Sequence, residues 1–214
     1  MTVNRRTSIA LSVVAGCLLA VACQKPKPEA AGGLGAAARP GANDSLPKVV
    51  LETTKGRIVM QLDRKAAPRT VENFLAHVDA HFYDGLVFHR VVKHFVIQAG
   101  VLTAAGMEKV SSEPPVPNEA DNGLKNVRGA VALARTNDPQ SGGVQFFIDV
   151  VDNAALDFTA KTPQGWGYAV FGHVTEGMDV ADAIAAVPTT VHGAYAELPV
   201  EPVIITKASV EEAK

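Results

Sequence analysis

The sequence predicts a mainly β fold, a closed antiparallel β-barrel capped by two α-helices. Many short apolar runs rich in β-branched residues follow one another, and glycine and proline separate them. This spacing is typical of barrels, in which closure of the sheet removes exposed strand edges. Only two segments show the apolar spacing of an amphipathic helix, so few helices are expected.

The barrel is predicted to begin with a hairpin over Val49–Leu62. Apolar residues alternate on both sides of Thr54-Lys55-Gly56, and Gly56 is able to adopt positive φ in the turn. Pro68–Phe82 and Asp179–Val187 are the predicted helices, because apolar residues recur in both at helical spacing. The remaining strands are predicted at Leu86–Val92, Phe95–Gln98, Gly129–Ala134, Gln145–Val151, Tyr168–Val174 and Val203–Ala208.

The N-terminus has the features of an exported protein. Two arginines precede the uncharged stretch Ile9–Ala22, which has the length of a signal-peptide core and is too short to span a bilayer. Residues 1–22 are therefore predicted to be a signal peptide. Leu19–Cys23 resembles a bacterial lipobox, which predicts a lipid-modified Cys23 as the first mature residue. Ordinary secretion with cleavage after Ala22 is the alternative.

Composition predicts a tether followed by one folded domain. Residues 23–46 comprise the lipidated cysteine and a linker dominated by proline, glycine and alanine, which indicates a flexible segment. Residues 47–214 are long enough for a single core and are expected to be monomeric. Gln24 replaces the aspartate that often signals retention in the inner membrane. The expected location is the periplasmic side of the cell envelope, with a lipid anchor in the outer membrane.

Charge and cysteine content exclude several classes of function. The formal net charge is −2 and no run of lysine or arginine stands out, so no nucleic-acid partner is expected. Both cysteines, Cys17 and Cys23, precede the predicted domain. The domain therefore has neither a disulfide framework nor a thiolate metal site.

A series of segments identifies a known family by its order and spacing. These segments are Phe82–Gly85, Phe88–Val92, Phe95–Gly100, Gly123–Gly129, Leu133–Thr136, Gln145–Ile148 and Gly177–Val180. Together they resemble the cyclophilin family of peptidyl-prolyl cis-trans isomerases, and in particular its bacterial branch. The resemblance covers Pro47–Glu212. It implies an eight-stranded antiparallel barrel with two helices, activity on proline-containing peptides and unfolded client proteins, and no cofactor.

The resemblance also implies a cationic donor beside an apolar proline pocket. An X-Pro bond rotates over a barrier of ~18–20 kcal/mol, and twisting the bond makes the proline nitrogen a better hydrogen-bond acceptor. Arg90 is expected to donate to the substrate amide because a guanidinium is always charged and carries several donors. Phe95 and Gln98 complete the expected catalytic group, with Gln98 positioning Arg90. The expected substrate-binding residues are Val96, Ala134, Arg135, Gln145, Phe147, Leu156 and Tyr168.

Two neighbours of these residues carry separate expectations. Adjacent strand residues point to opposite faces, so His89 is not expected to share the face of Arg90 or to have a catalytic role. Ala155 precedes Leu156 at the position where many family members have the tryptophan that binds cyclosporin. The resemblance therefore implies weak sensitivity to cyclosporin, since the lone Trp166 lies well beyond Leu156.

Two other functions compete with an isomerase. His77 and His81 would share a face of the first helix, but no glutamate of an H-E-x-x-H metal site lies between them, which favours a solvated helix face and no metal. A cyclophilin-fold chaperone or binding module with little catalysis is the second alternative. Ala99, Val144 and His94 depart from the family pattern beside the site. Because the expected catalytic residues are all present, catalysis is favoured.

Overall fold

The fold is described by a computed structural model, which covers residues 46–211. Two α-helices, α1 (Pro68–Asp79) and α2 (Met178–Ala185), accompany ten strands in this part of the chain. Single 3-10 turns lie at Ala120–Asn122 and Ala154–Leu156. The strands are β1 (Lys48–Thr53), β2 (Gly56–Leu62), β3 (Leu86–Val91), β4 (Val96–Thr103), β5 (Ala130–Leu133), β6 (Phe146–Asp149), β7 (Val170–Glu176), β8 (Thr189–His192), β9 (Tyr195–Pro199) and β10 (Ile205–Glu211).

Eight of these strands form one antiparallel sheet in the order β10-β1-β2-β7-β5-β6-β4-β3. The two end strands meet, because the Gly85 N–H donates to the Ile205 carbonyl at 2.8 Å and the Phe88 N–H donates to the Val203 carbonyl at 3.0 Å. The sheet is therefore a nearly closed barrel with two helices, which confirms the predicted fold class.

The barrel encloses an aromatic core to which α1 contributes. The ring of Phe74 on this helix packs against Tyr83, Phe146 and Phe171, with centroids 5.0, 5.2 and 5.1 Å away. All four side chains are fully buried. Burying aromatic side chains of this size contributes strongly to the stability of a core. The core thereby fixes the strands on whose outer side the candidate site lies.

A second, smaller apolar cluster lies on the other face of strands β4 to β7. On β4, Ile97 and Ala99 belong to the barrel core, whereas Val96 belongs to this outer cluster. The division follows the alternation of side chains along a strand. The buried members of the outer cluster are Val96, Ala130, Ala132, Ala134, Phe147 and Val170, and Phe95, Leu124, Leu156 and Tyr168 pack against them.

The structure differs from the sequence predictions mainly in element ends and in one added hairpin. Helix α1 ends at Asp79, before the predicted Phe82, because His81 adopts a left-handed conformation with φ 53°. Strands β8 and β9, which are absent from the sequence predictions, pair around the two-residue turn Gly193-Ala194. Gly193 has φ 58°, as a tight hairpin turn requires.

The predicted signal peptide, Cys23 and all but the last residue of the linker lie outside residues 46–211. Neither α1 nor α2 is long and apolar enough to span a membrane, and this holds for every helix in the described range. The anchoring of the chain therefore stays a prediction from the sequence.

Candidate active site

Arg90 reaches the outer face of the barrel through a β-bulge. Phe88 pairs with Ala99 and Arg90 pairs with Gln98, so His89 is an additional residue on β3. Phe88 and Val91 consequently both belong to the core, three positions apart, while Arg90 stays half-exposed. A bulge bends its strand and redirects side chains, and bulges are frequent beside active sites.

The Arg90 guanidinium lies at the edge of the outer cluster. Its central carbon is 5.6 Å from the centre of the Phe95 ring, within the range of a cation–π contact. Its Nε lies 3.5 Å from Oε2 of Glu197 on β9. Within residues 46–211, neither terminal Nη group has a hydrogen-bond acceptor.

The apolar residues expected from the sequence lie together beside this cation. Val96 and Phe147 are buried in the outer cluster, and Phe95 and Leu156 pack against it while partly exposed. These residues come from the turn before β4, from β4 itself, from β6 and from the 3-10 turn after β6. Strands and turns distant in sequence thus assemble one apolar surface.

Gln98 and Gln145 form the polar wall next to that surface. The Gln98 Nε2 donates to Gln145 Oε1 at 2.9 Å. Gln98 lies opposite Arg90 in the strand register, but its side-chain hydrogen bond goes to Gln145 and the ion-pair partner of Arg90 is Glu197. Both glutamines and Ala134 also line a cavity of about 410 Å³.

Arg135 and Tyr168 form the opposite rim. The Tyr168 ring meets Phe147 edge-on, with centroids 5.5 Å apart, and the Arg135 guanidinium lies 4.7 Å from the Tyr168 ring centre. The Arg135 Nε also donates to the Gly167 carbonyl at 2.8 Å. Arg135 is therefore fixed by its own contacts, and it borders both the cavity and the apolar surface.

Asn153 and Asp149 form a buried hydrogen-bonded pair next to the apolar surface. Asn153 Nδ2 donates to Asp149 Oδ1 at 2.6 Å and to the Phe95 carbonyl at 3.0 Å. The Leu156 N–H donates to the Asn153 carbonyl at 2.9 Å. Asn153 thus connects β6 to two of the apolar pocket residues. Burial raises the pKa of the Asp149 carboxyl to about 7, although the hydrogen bond from Asn153 acts in the opposite direction.

His89 is buried beside the site, next to Arg90. Its ring meets Tyr195 edge-on at 5.6 Å, and burial lowers its pKa to about 4. Because His89 and Arg90 both contact side chains of β9, the alternation expected from a regular strand was wrong at this position. The bulge is the physical reason.

The histidines considered as metal ligands are separated by the end of α1. His77 is buried, and its ring nitrogens contact the Asn73 carbonyl at 2.7 Å and the Ser111 hydroxyl at 2.8 Å. The expected solvated helix face was therefore wrong for His77, which lies on the inner side of the helix. His81 follows the helix and is exposed. Within the described range, no group of three or more histidine, cysteine, aspartate or glutamate residues is placed to hold a metal.

Sequence reasoning missed the two residues that β9 contributes, Tyr195 and Glu197. The available signal was the run Thr189–His192, a glycine and a second alternating run, which together indicate a hairpin. Nothing in that local pattern indicates that the second strand packs against β3. The ion-pair partner of Arg90 therefore comes from a segment that is distant from it along the chain.

The site thus combines an apolar surface on the outer wall of a β-barrel with a cation at its edge. Comparison with known proteins identifies the family. The family model "Cyclophilin type peptidyl-prolyl cis-trans isomerase/CLD" matches residues 48–210. The chain therefore belongs to the cyclophilin family, and it is a peptidyl-prolyl cis-trans isomerase.

Individual relatives cover most of the chain. The peptidyl-prolyl cis-trans isomerase cyp18 of Streptomyces antibioticus is 54% identical over 162 residues, 76% of this chain and 97% of that protein. The peptidyl-prolyl cis-trans isomerase B of Escherichia coli K12 is 46% identical over 164 residues, covering 77% and 99%. A solved cyclophilin-type isomerase from Cryptosporidium parvum has a TM-score of 0.64 at 22% identity, covering 79% of this chain and 99% of that one. This last likeness concerns the fold alone.

Proposed function

We propose that Arg90 catalyses X-Pro rotation by stabilising the twisted amide while the apolar outer surface holds the proline ring. The observation that carries this proposal is the position of the guanidinium at the edge of Phe95, next to Val96 and Phe147. The terminal Nη groups have no acceptor among residues 46–211 and can donate to a peptide. No proton transfer or covalent step is required.

The chemistry follows from the loss of amide resonance on twisting. The planar amide nitrogen is a poor acceptor, whereas the twisted nitrogen carries a lone pair that accepts a hydrogen bond. A donor fixed beside it therefore stabilises the transition state more than either planar isomer, which is the condition for rate acceleration. A charge-assisted hydrogen bond of this kind in a partly dry site contributes ~2–4 kcal/mol.

The remaining residues have binding roles in this proposal. Phe95, Val96, Phe147 and Leu156 hold the ring, because a proline side chain has no polar atom that needs a partner. Gln98 and Gln145, joined by their hydrogen bond, present polar atoms to the peptide carbonyls, and Gln98 borders the catalytic cation. Ala134, Arg135 and Tyr168 bound the groove that receives the flanking peptide.

An isomerisation assay on a short proline-containing peptide tests the role of Arg90. We expect Arg90→Ala to lower kcat/KM by roughly 30- to 1000-fold, which corresponds to the loss of ~2–4 kcal/mol of transition-state stabilisation. Arg69→Ala is the matched control, because Arg69 is an exposed arginine on α1 whose side chain lies outside the site. A folded Arg90→Ala variant with normal activity would contradict the mechanism.

We further propose that this isomerase acts on unfolded client proteins at the periplasmic side of the cell envelope. The support is the signal-peptide pattern of residues 1–22, the lipobox-like end at Cys23 and the proline- and glycine-rich tether up to residue 46. A lipidated Cys23 would hold the domain of residues 47–214, as a monomer, near the outer membrane. One acyl chain anchors only marginally, so more than one chain is expected.

The mass of the protein extracted from membranes tests the anchor. We expect a mature form that begins at Cys23 and carries added acyl mass, and we expect Cys23→Ser to leave the protein unprocessed or soluble. Cys17→Ser is the matched control, because it removes the other thiol within the signal peptide. A mature form that begins at Cys23 without acyl mass would leave ordinary secretion as the explanation.

A further inference from the structure

The hairpin β8–β9 packs against the strand that carries the catalytic arginine. Of its two strands, β9 lies along β3, whereas the residues of β8 are exposed throughout. The hairpin pairs within itself and is not part of the eight-stranded sheet. It is therefore an addition to the side of the barrel, beside the bulge that directs Arg90 outward.

Tyr195 fixes this hairpin to the barrel. Its hydroxyl donates to Glu108 Oε1 at 2.8 Å, and its ring meets the buried His89 edge-on at 5.6 Å. Glu108 lies on the segment after β4, and Leu102 and Glu108 form an isolated bridge there. The start of β9 is thus held from two sides, by the bulge residue of β3 and by the β4 side of the barrel.

Glu197 lies two residues further along the same strand and reaches the next residue of β3. Its Oε2 is 3.5 Å from the Arg90 Nε. Residues i and i+2 of a strand share a face, so Glu197 lies on the same face of β9 as Tyr195. The contacts that hold Tyr195 in place therefore also direct Glu197 towards the guanidinium. The ion pair engages the inner nitrogen of Arg90 and leaves the terminal Nη groups to the substrate.

We infer that Glu197 is a positioning residue for the isomerase reaction, which holds the Arg90 guanidinium over the edge of the proline pocket; this inference rests on the catalytic role proposed for Arg90. An arginine side chain has several rotatable bonds, and a free guanidinium would populate many rotamers outside the pocket. Contact with the Phe95 ring restrains one face of the Arg90 guanidinium, and the Glu197 carboxylate restrains its Nε edge. Pre-orientation of this kind lowers the barrier without requiring contact between Glu197 and the peptide.

The exposure of the Arg90 and Glu197 side chains determines how much their ion pair can contribute to activity. The two side chains are 38% and 39% exposed, so water and salt screen their attraction. Exposed pairs of this kind contribute less than ~1 kcal/mol. We therefore expect Glu197→Gln to lower kcat/KM by about 2- to 5-fold. The loss should appear in kcat, with KM nearly unchanged, because the proline pocket remains intact.

The decisive experiment is a double-mutant cycle with Arg90→Lys, measured with the same peptide. Lysine lacks the planar group whose orientation Glu197 would control, so Glu197→Gln should change activity little in the Arg90→Lys background. Glu201→Gln is the matched control, since it removes the same charge from an exposed position after the hairpin. Its activity should equal that of the wild type.

Ionic strength supplies a second readout that a structural role would not change. Raising sodium chloride should lower kcat of the wild type towards that of Glu197→Gln, while the variant should respond little. Thermal unfolding of each variant checks that the fold is retained. The inference is overturned if Glu197→Gln matches the wild type, if it raises activity, or if its loss is the same in the Arg90→Lys background.

Discussion

Arg90 faces the outer wall of the barrel because a single residue, His89, is inserted into β3. In a regular strand Arg90 would share the face of Phe88, which is fully buried in the core. Because of the inserted residue, Arg90 instead lies on the same side of the sheet as Gln98, where the pocket is. At the scale of single residues, the site thus depends on a local departure from strand geometry.

His94, in the turn before Phe95, is a second residue with unusual backbone geometry. It adopts φ 61° in a turn closed by two backbone hydrogen bonds, from the Phe95 N–H to the Val92 carbonyl at 3.1 Å and from the Val92 N–H to the Val96 carbonyl at 2.9 Å. A residue with a Cβ pays a steric cost of ~1–2 kcal/mol in this left-handed region. The turn that presents Phe95 to the pocket is therefore strained.

Replacing His94 by glycine should relieve that strain. We expect His94→Gly to raise the free energy of unfolding by about 0.5–1 kcal/mol, after the greater entropy of glycine in the unfolded chain is included. The melting temperature should rise by ~1–4 °C, with isomerase activity retained. His94→Ala removes the imidazole but keeps a Cβ, so it should not stabilise the fold. Equal stabilisation by both substitutions would assign the effect to the imidazole.

Short elements around the barrel complete the site at the next scale. The 3-10 turn Ala154–Leu156 brings Leu156 to the pocket, and the Tyr168 N–H donates to the Leu156 carbonyl at 3.0 Å. Ala155 is exposed in this turn. Trp166 packs against Phe158, with ring centroids 5.6 Å apart, so the lone tryptophan is engaged elsewhere. The turn therefore offers no indole to a ligand at the rim.

The response to cyclosporin should depend on this turn. By its resemblance to family members that bind cyclosporin through a tryptophan at this position, the wild type should be inhibited weakly. Ala155→Trp should lower the inhibition constant at least ~10-fold, because it adds a hydrogen-bond donor and an aromatic surface. Ala154→Trp, at the neighbouring exposed position, should not. Nanomolar inhibition of the wild type would show that Ala155 has been given the wrong role.

At the scale of the whole molecule, two buried ionisable residues oppose each other in their effect on stability. Burial raises the pKa of Asp149 from 3.8 to about 7, and the carboxylates of Asp157 and Asp152 act in the same direction. Burial lowers the pKa of His89 from 6.5 to about 4, and Arg90 adds to this effect while Gln145 and Glu108 oppose it. Each residue is therefore more stable in its neutral form inside the fold.

The pH dependence of unfolding follows from the signs of these shifts. The folded state retains the Asp149 proton more strongly than the unfolded chain, so stability is lost as the pH rises from about 4 through 7. The folded state binds a proton at His89 less strongly, so stability is lost as the pH falls from about 6.5 through 4. Between about pH 4 and 6.5 the two contributions have opposite slopes and nearly cancel, so we expect the melting temperature to change little there and to decline as the pH rises from about 6.5 through 7.

Substitution of Asp149 should uncover the contribution of His89, because the two contributions offset each other in the wild type. Asp149→Asn keeps an acceptor for Asn153 but removes the carboxyl whose ionisation offsets His89, so the melting temperature of this variant should rise as the pH increases from about 4 to 6.5. Asp138→Asn, at an exposed carboxyl, should leave the profile unchanged. Thermal unfolding at several pH values measures both. A melting temperature of Asp149→Asn that stays level between about pH 4 and 6.5, as in the wild type, would contradict the assignment.

The sequence by itself determined the kinds and order of most elements. Alternation and helical spacing placed the first hairpin, both helices and the barrel strands, because these periodicities are local properties of the chain. The order and spacing of the family segments assigned Arg90, Phe95 and Phe147 to one site. Element ends were less well predicted, since the end of α1 depends on the backbone conformation of one residue, His81.

Only the tertiary structure decided which distant residues meet. The register between β3 and β4 creates the bulge at His89, and that register is a relation between two strands that neither sequence specifies alone. The packing of β9 against β3 brings Glu197 to Arg90. Such contacts form when separate elements bury their surfaces against one another, so their partners cannot be deduced from spacing along the chain. The chemistry of the arginine was therefore visible in the sequence, while its orientation was set by the fold.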